Sequence, residues 1–180
     1  PWGDAFECGK VDGVLPTGNF GSKGKEQFAI MRQKIGNQPL MCMEFWVGWF
    51  DYWGVEGHQT GSISEHLKAL DEILSEGHVN IYMFEGGTNF GYTSGANYYD
   101  KLTPDVTSYD YDALLTEDGR ITPKYEAFQK IISKYVEIPE VKLTTKIKRK
   151  AYGTLEVVRK TGLFENLNKL SQPIENLVPQ

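Results

Sequence analysis

The run Pro39–Trp46 constrains this chain more than any other segment. It reads Pro-Leu-Met-Cys-Met-Glu-Phe-Trp, apolar throughout except for Glu44. A half-exposed strand would alternate polar and apolar residues, whereas a strand buried in a parallel sheet reads as a near-continuous apolar run. Val79–Phe84 shares this character, and a further short strand is expected near Val14–Phe20. Helical patterns lie between and after them. Over Lys23–Ile35, residues Phe28, Met31 and Ile35 fall on one face, and Gly36 supplies the left-handed residue that ends the helix. Ser62 with Glu65 three positions on makes a capping box, followed by the stripe Leu67, Leu70, Ile73 and Leu74 up to Gly77. Thr122 caps a third helix, with Pro123 at its first position and Phe128, Ile131, Ile132 and Tyr135 as the buried stripe. Strand then helix, three times over, implies parallel strands joined by right-handed crossovers in an α/β fold. The loops after the strands are the long ones, above all Glu85–Ile121, which suits either a barrel's C-terminal face or the switch point of an open sheet.

Composition sets the outer bounds. The chain has 180 residues, enough to bury a sizeable core, and its 13% aromatic content excludes intrinsic disorder. A net charge of -5 argues against a nucleic-acid partner. Two cysteines, Cys8 and Cys42, cannot staple a chain of this size. Runs such as Leu40–Cys42 are far too short to cross a bilayer, so no membrane partner is expected. No charged stretch followed by an apolar run opens the chain, and a cytoplasmic location is favoured over a secreted or lysosomal one. Beyond Tyr135 the pattern changes. Ile138-Pro139 breaks the helix, Val141–Leu155 is rich in Lys, Thr and Arg, and residues 137–180 read as a linker and the beginning of a β domain. Lys146, Lys148, Arg149 and Lys150 read as a solvated edge rather than a binding patch.

Glu44 is the strongest candidate for chemistry. A carboxylate near the C-terminal end of an apolar strand has no packing reason to be there. Strand parity places it with Leu40 and Cys42 on one face, and Met41 and Met43 on the other. Six aromatics then follow within nine positions, from Phe45 to Trp53. A carboxylate walled by rings suits glycoside hydrolysis, because a ring face can support the C–H face of a sugar while the carboxylate approaches its anomeric carbon. The plainer alternative is a buried Glu satisfied by an Arg or by backbone amides. Tyr82 lies near the end of the next strand and Gly86-Gly87 follow it, where glycine allows either a ligand or a tight turn. In Ser108-Tyr109-Asp110-Tyr111-Asp112, an extended backbone would put both phenols on one face; otherwise this is a surface strand with exposed acids. His58, His66 and His78 lack metal-site spacing, and neither cysteine has a base nearby in sequence.

Three long motifs carry a family resemblance. Met43–Gly54 resembles the nucleophile segment of glycoside hydrolase family 35 β-galactosidases. Asn80–Gly91 is similar to that family's last barrel strand and its loop, and Thr107–Ala113 to its tyrosine-bearing segment. Pro1-Trp2 and Val14–Gly21 fit less distinctively. The resemblance covers roughly residues 1–136, as the C-terminal part of a TIM (β/α)8 catalytic barrel. It implies a retaining, exo-acting β-galactosidase that uses no cofactor or metal and takes a galactoside, oligosaccharide or glycoconjugate. It also implies Glu44 as nucleophile, Trp46, Tyr82, Tyr109 and Tyr111 at the sugar, and one tyrosine hydrogen-bonded to Glu44. Trp46 stands where many members carry Tyr, and Glu85 occupies a variable position. One departure matters: the family's acid/base Glu sits in an Asn-Glu-Tyr-Gly-type segment, and Asn-Glu occurs nowhere in this sequence. The expectation is a chain that carries the nucleophile without the general acid/base, and so is inactive unless completed by the missing part of the barrel or by oligomer contacts. A non-catalytic carbohydrate-binding fragment and another retaining β-glycosidase of the same barrel type are the alternatives.

Overall fold

A computed structural model describes residues 5–6, 8–141 and 148–178. Pro1-Trp2 and Lys146 lie outside the described residues. The chain divides into two units, Pro1–Pro139 and Glu140–Gln180. The first contains β1 (Gly18–Asn19), α1 (Gly24–Ile35), β2 (Met41–Trp46), α2 (Ile63–Leu74) and β3 (His78–Tyr82), then β4 (Ala96–Tyr99), β5 (Lys101–Pro104) and α3 (Pro123–Ile132). β1, β2 and β3 form a parallel sheet in that order. The class is α/β, as the alternation of elements implies.

The caps behave as the side chains dictate. Ser62 Oγ accepts from Glu65 N, Thr122 Oγ1 accepts from Tyr125 N, and the Gly36 N–H closes α1 on Arg32 O. Each cap oxygen satisfies an otherwise orphaned amide at a helix start. Phe28 and Met31 of α1, Leu70 and Ile73 of α2 and Phe128 of α3 are fully buried. Phe20 meets Phe28 edge-on with centroids 5.6 Å apart, and Phe45 packs on Phe128 at 6.2 Å. Truncating any of these rings to alanine would cost about 3–5 kcal/mol. Tyr135 is the exception to its expected stripe: it lies beyond α3, is substantially exposed, and its hydroxyl donates to Asp71 Oδ1 at 2.9 Å.

Three further differences have physical causes. The strand expected at Val14–Phe20 shrinks to two residues, and Pro16 just before them has no N–H to give a ladder. The loop Glu85–Ile121 contains the antiparallel β4–β5 hairpin, turned at Asp100 with φ 65°; no Gly marks that turn in the sequence. The parity of β2 also breaks. Its pairing with β3 shifts register between Cys42 and Phe45, so the buried set runs Leu40, Cys42, Phe45, Val47. Glu44 therefore leaves the side of Cys42 and stands with Trp46, which a bulge of one residue accomplishes.

The second unit is slight. Its described residues, 140–141 and 148–178, hold a 3-10 turn at Phe164–Asn166 and a short helix α4 (Leu167–Leu170), and no strand. Among the described residues no helix is long and apolar enough to cross a membrane.

Candidate active site

Glu44 sits two residues before the end of β2, partly exposed, with its backbone tied to β1 through Phe20 N, which donates to Glu44 O at 3.0 Å. The indole N–H of Trp46 donates to Glu44 Oε2 at 3.1 Å. Trp46 therefore offers more than a ring wall: it fixes one oxygen of the carboxylate. Tyr82 closes β3, the neighbouring strand, and pairs directly with Trp46 in register.

Tyr109 and Tyr111 arrive from the loop before α3. Their rings stack at 5.5 Å and 17°, and Tyr82 stands edge-on to Tyr111 at 5.6 Å. The Tyr82 and Tyr109 hydroxyls lie 3.3 Å apart. Phe50 stacks on Tyr109 and Trp49 on Phe50, so the aromatic run after β2 continues into the tyrosine cluster. All five residues expected at the site are thus brought into one neighbourhood. The expected hydrogen bond from a tyrosine to Glu44 is not the contact seen; the described partner of Glu44 is Trp46. The phenols feel Glu44 through its charge. Burial first, then the Tyr82 contact and the nearby carboxylates, push the Tyr109 hydroxyl well above its usual range; burial, then Tyr109, Tyr82 and Glu44, do so for Tyr111. Both remain protonated donors at any physiological pH.

The backbone that presents these phenols is a tight turn, not the extended strand that parity assumed. Tyr111 and Asp112 both have positive φ, 64° and 51°. Two glycines make room for it. A Cβ on Gly48, just after β2, would stand 1.7 Å from Tyr111 O, and a Cβ on Gly86 would stand 1.7 Å from Tyr109 O. Glycines placed directly after the strands thus admit the tyrosine turn itself.

The acids of the turn are braces rather than exposed surface. Asp112 Oδ2 accepts from Lys124 Nζ at 2.6 Å and from Gly61 N at 2.8 Å. Lys124, only 3% exposed, also donates to Val47 O at 2.7 Å and to Asp112 O at 2.5 Å. One buried ammonium therefore ties α3, the end of β2 and the tyrosine turn together. His58 bridges Asp51 Oδ2 at 2.7 Å and Asp110 Oδ1 at 3.1 Å, joining the loop after β2 to the same turn. On the far side, Glu117 accepts from Ser108 Oγ at 2.6 Å and from Thr88 Oγ1, and these bonds hold its carboxyl below the ordinary range. Lys124 was not legible as functional, although its place four residues before Phe128 puts it on the inner stripe of α3. The histidine spacing gave no metal site, and among the described residues no His, Cys, Asp or Glu cluster could hold a metal. Burial pushes the Cys42 thiol up to about 12, which suits a packing residue rather than a nucleophile. Glu85 is exposed and pairs through its backbone with Leu115, apart from the cluster.

Known proteins share much of this sequence. The family model described as Glycosyl hydrolases family 35 matches residues 1–135. The chain is 38% identical over 179 residues to Beta-galactosidase-1-like protein 2 of Homo sapiens, covering 98% of the chain and 28% of that protein. It is similarly 38% identical to the Beta-galactosidase of Canis lupus familiaris, covering 97% of the chain, and 39% identical to that of Homo sapiens. The chain spans about a quarter of the length of these relatives, 26–28%. With the matched region holding β1 to α3 and the whole tyrosine cluster, the chain belongs to glycosyl hydrolases family 35.

Proposed function

We propose that this chain is the C-terminal part of the catalytic barrel of a retaining, exo-acting β-galactosidase, with Glu44 as its nucleophile. Residues 1–136 supply the last barrel units, and 137–180 a linker and the start of a β domain. The observation that carries this reading is the convergence of Glu44, Trp46, Tyr82, Tyr109 and Tyr111 at the C-terminal ends of two adjacent parallel strands, where barrel enzymes keep their chemistry.

The chemistry follows from the parts. Trp46 engages Oε2 of Glu44, leaving Oε1 to attack the anomeric carbon of a terminal β-galactosyl unit. A C–O bond forms between Glu44 and the sugar as the bond to the aglycone oxygen breaks, giving a covalent galactosyl ester. The leaving oxygen takes its proton from a general acid that lies outside this chain, which has no Asn-Glu segment. Water deprotonated by the same group then attacks the ester and frees Glu44, with net retention. The Tyr109 phenol, held protonated by burial, donates a hydrogen bond to a sugar oxygen, and Tyr111, only 1% exposed with its hydroxyl buried, backs it by stacking.

Two inversions at carbon would leave the first-formed galactose as the β-anomer. Proton NMR of early product from the full-length enzyme checks this; first-formed α-anomer would exclude a nucleophilic Glu44, and a panel of aryl β-glycosides checks the preference for galactose. The isolated 180-residue chain should release no galactose, and steady release by it would overturn the assignment of the acid to another segment. A carbohydrate-binding role without catalysis would instead show reversible galactose binding by the full-length protein, unaffected by Glu44→Gln.

A further inference from the structure

We infer that His58 is a positioning residue that works only as an imidazolium. Doubly protonated, it clasps the turn carrying Tyr109 and Tyr111 to the loop after β2; losing one proton to solvent opens the clasp and slows the reaction. This rests on the glycosidase reading above. His58 Nδ1 stands 2.7 Å from Asp51 Oδ2, and Nε2 stands 3.1 Å from Asp110 Oδ1. An ionised carboxylate only accepts hydrogen bonds, and a neutral imidazole carries a single N–H. Only the imidazolium can therefore donate to both acids, whereas the neutral ring sets a lone pair against one of them. The Asp51 contact is the shorter, and the other oxygen of Asp51 is held on the same loop by Gln59 N at 2.7 Å. The bond to Asp110 is thus the one given up.

Asp110 is where that loss is felt. It lies between the two stacked tyrosines, and its carboxylate gathers three donors. His58 and Asp112 N, at 3.2 Å, share Oδ1, and Glu117 N reaches Oδ2 at 3.2 Å. Backbone amides do not titrate in this range, so His58 is the pH-responsive member of the three. The turn it holds includes Tyr111 and Asp112 at positive φ, a conformation that persists only where its surroundings enforce it. At the other end of the clasp, Asp51 follows Phe50, whose ring stacks on Tyr109 at 5.8 Å. The remaining acids nearby are engaged elsewhere or face solvent: Asp112 is taken by Lys124, and Glu56, on the loop of His58, is exposed. Burial lowers the proton affinity of His58, but Asp51 and Asp110 outweigh it and raise its pKa above the usual 6.5. The clasp is therefore complete below pH 6.5 and opens as pH climbs through the raised value.

The pH profile of kcat/KM on the full-length enzyme tests this, with a dinitrophenyl β-galactoside as substrate. Its leaving group departs without a proton, so titration of the general acid does not shape the profile. Wild type should lose about tenfold between about pH 6 and about pH 9. The His58 side chain is 42% exposed, which leaves room for replacements. His58→Arg keeps a fixed charge and enough N–H groups for both acids, and should hold its own rate within about twofold across that range. His58→Gln has no charge to lose and should be equally flat, about tenfold below wild type near pH 6. A His58 that only stabilised the fold would leave the rate per folded molecule independent of pH. A flat wild-type profile, or an alkaline fall that survives in either variant, would overturn the clasp. A wild-type enzyme that releases no dinitrophenol at any pH would instead overturn the glycosidase reading on which the clasp rests.

Discussion

Replacing Gly86 by alanine should disable the site while leaving every side chain of the aromatic cluster in the sequence. The added Cβ would stand 1.7 Å from Tyr109 O and 2.9 Å from its carbonyl carbon. Both contacts are backbone, so no side chain can swing aside. To reach even the 3.0 Å that real Cβ atoms rarely breach, the turn carrying Tyr109 and Tyr111 must retreat by about 1.3 Å, and a misplacement of about 1 Å can cost roughly 100-fold in rate. Gly48→Ala presents the same 1.7 Å clash, with Tyr111 O, from the neighbouring strand end. Steady-state hydrolysis of an aryl β-galactoside by the full-length enzyme should therefore fall by about 100-fold in kcat for either variant. Gly95→Ala is the control, since its Cβ meets only the end of the Asp105 side chain, at 3.2 Å. If Gly48→Ala and Gly86→Ala both kept kcat within about threefold of wild type, the claim that the turn's position governs the chemistry would fail.

The braces around the turn make further predictions. Lys124→Met leaves Val47 O, Asp112 O and Asp112 Oδ2 without their shared donor; breaking a buried pair on one side typically costs about 3–5 kcal/mol, and the partial exposure of Asp112 puts this case near the lower figure. Urea unfolding followed by tryptophan fluorescence should show that loss, and a change below about 1 kcal/mol would mean that the ammonium is not the tie described. Burial lowers the proton affinity of His58, but Asp51 and Asp110 outweigh it and raise its pKa above the usual 6.5. A raised folded-state value means that the contribution is complete below pH 6.5 and fades as pH climbs through the raised pKa. The difference in thermal stability between wild type and His58→Gln should thus be wider near pH 6 than near pH 8.5; an equal or reversed difference would contradict the bridge.

Much of this was legible because it is local. The caps at Ser62 and Thr122, the stop at Gly36 and the helix stripes depend on residues three or four apart, and all but Tyr135 took the places read for them. The motif residues also converged, since the strand ends fix Trp46 and Tyr82 side by side once the strands are parallel neighbours. Side-chain direction was harder. A one-residue register shift in β2 reverses the face of Glu44, and nothing in an apolar run announces a bulge. Equally, an extended backbone would put Tyr109 and Tyr111 on one face, whereas their rings stack on a turn in which Tyr111 and Asp112 are left-handed. The braces were the least legible. Lys124 and Val47 are 77 positions apart, and His58 and Asp110 are 52 apart. Such contacts exist only after the fold has brought the loops together, so neither periodicity nor motif spacing encodes them.

The central claim is that Glu44 forms a covalent bond to galactose during turnover. A 2-deoxy-2-fluoro-β-galactoside with an activated leaving group tests it most directly, because the fluorine slows release of the sugar and lets the ester accumulate on the full-length enzyme. Mass spectrometry of the digested protein should find one fluorogalactosyl group, on the peptide containing Glu44, and none in Glu44→Gln. Attachment at any other residue, or inactivation-free turnover with Glu44 unmodified, would contradict the account.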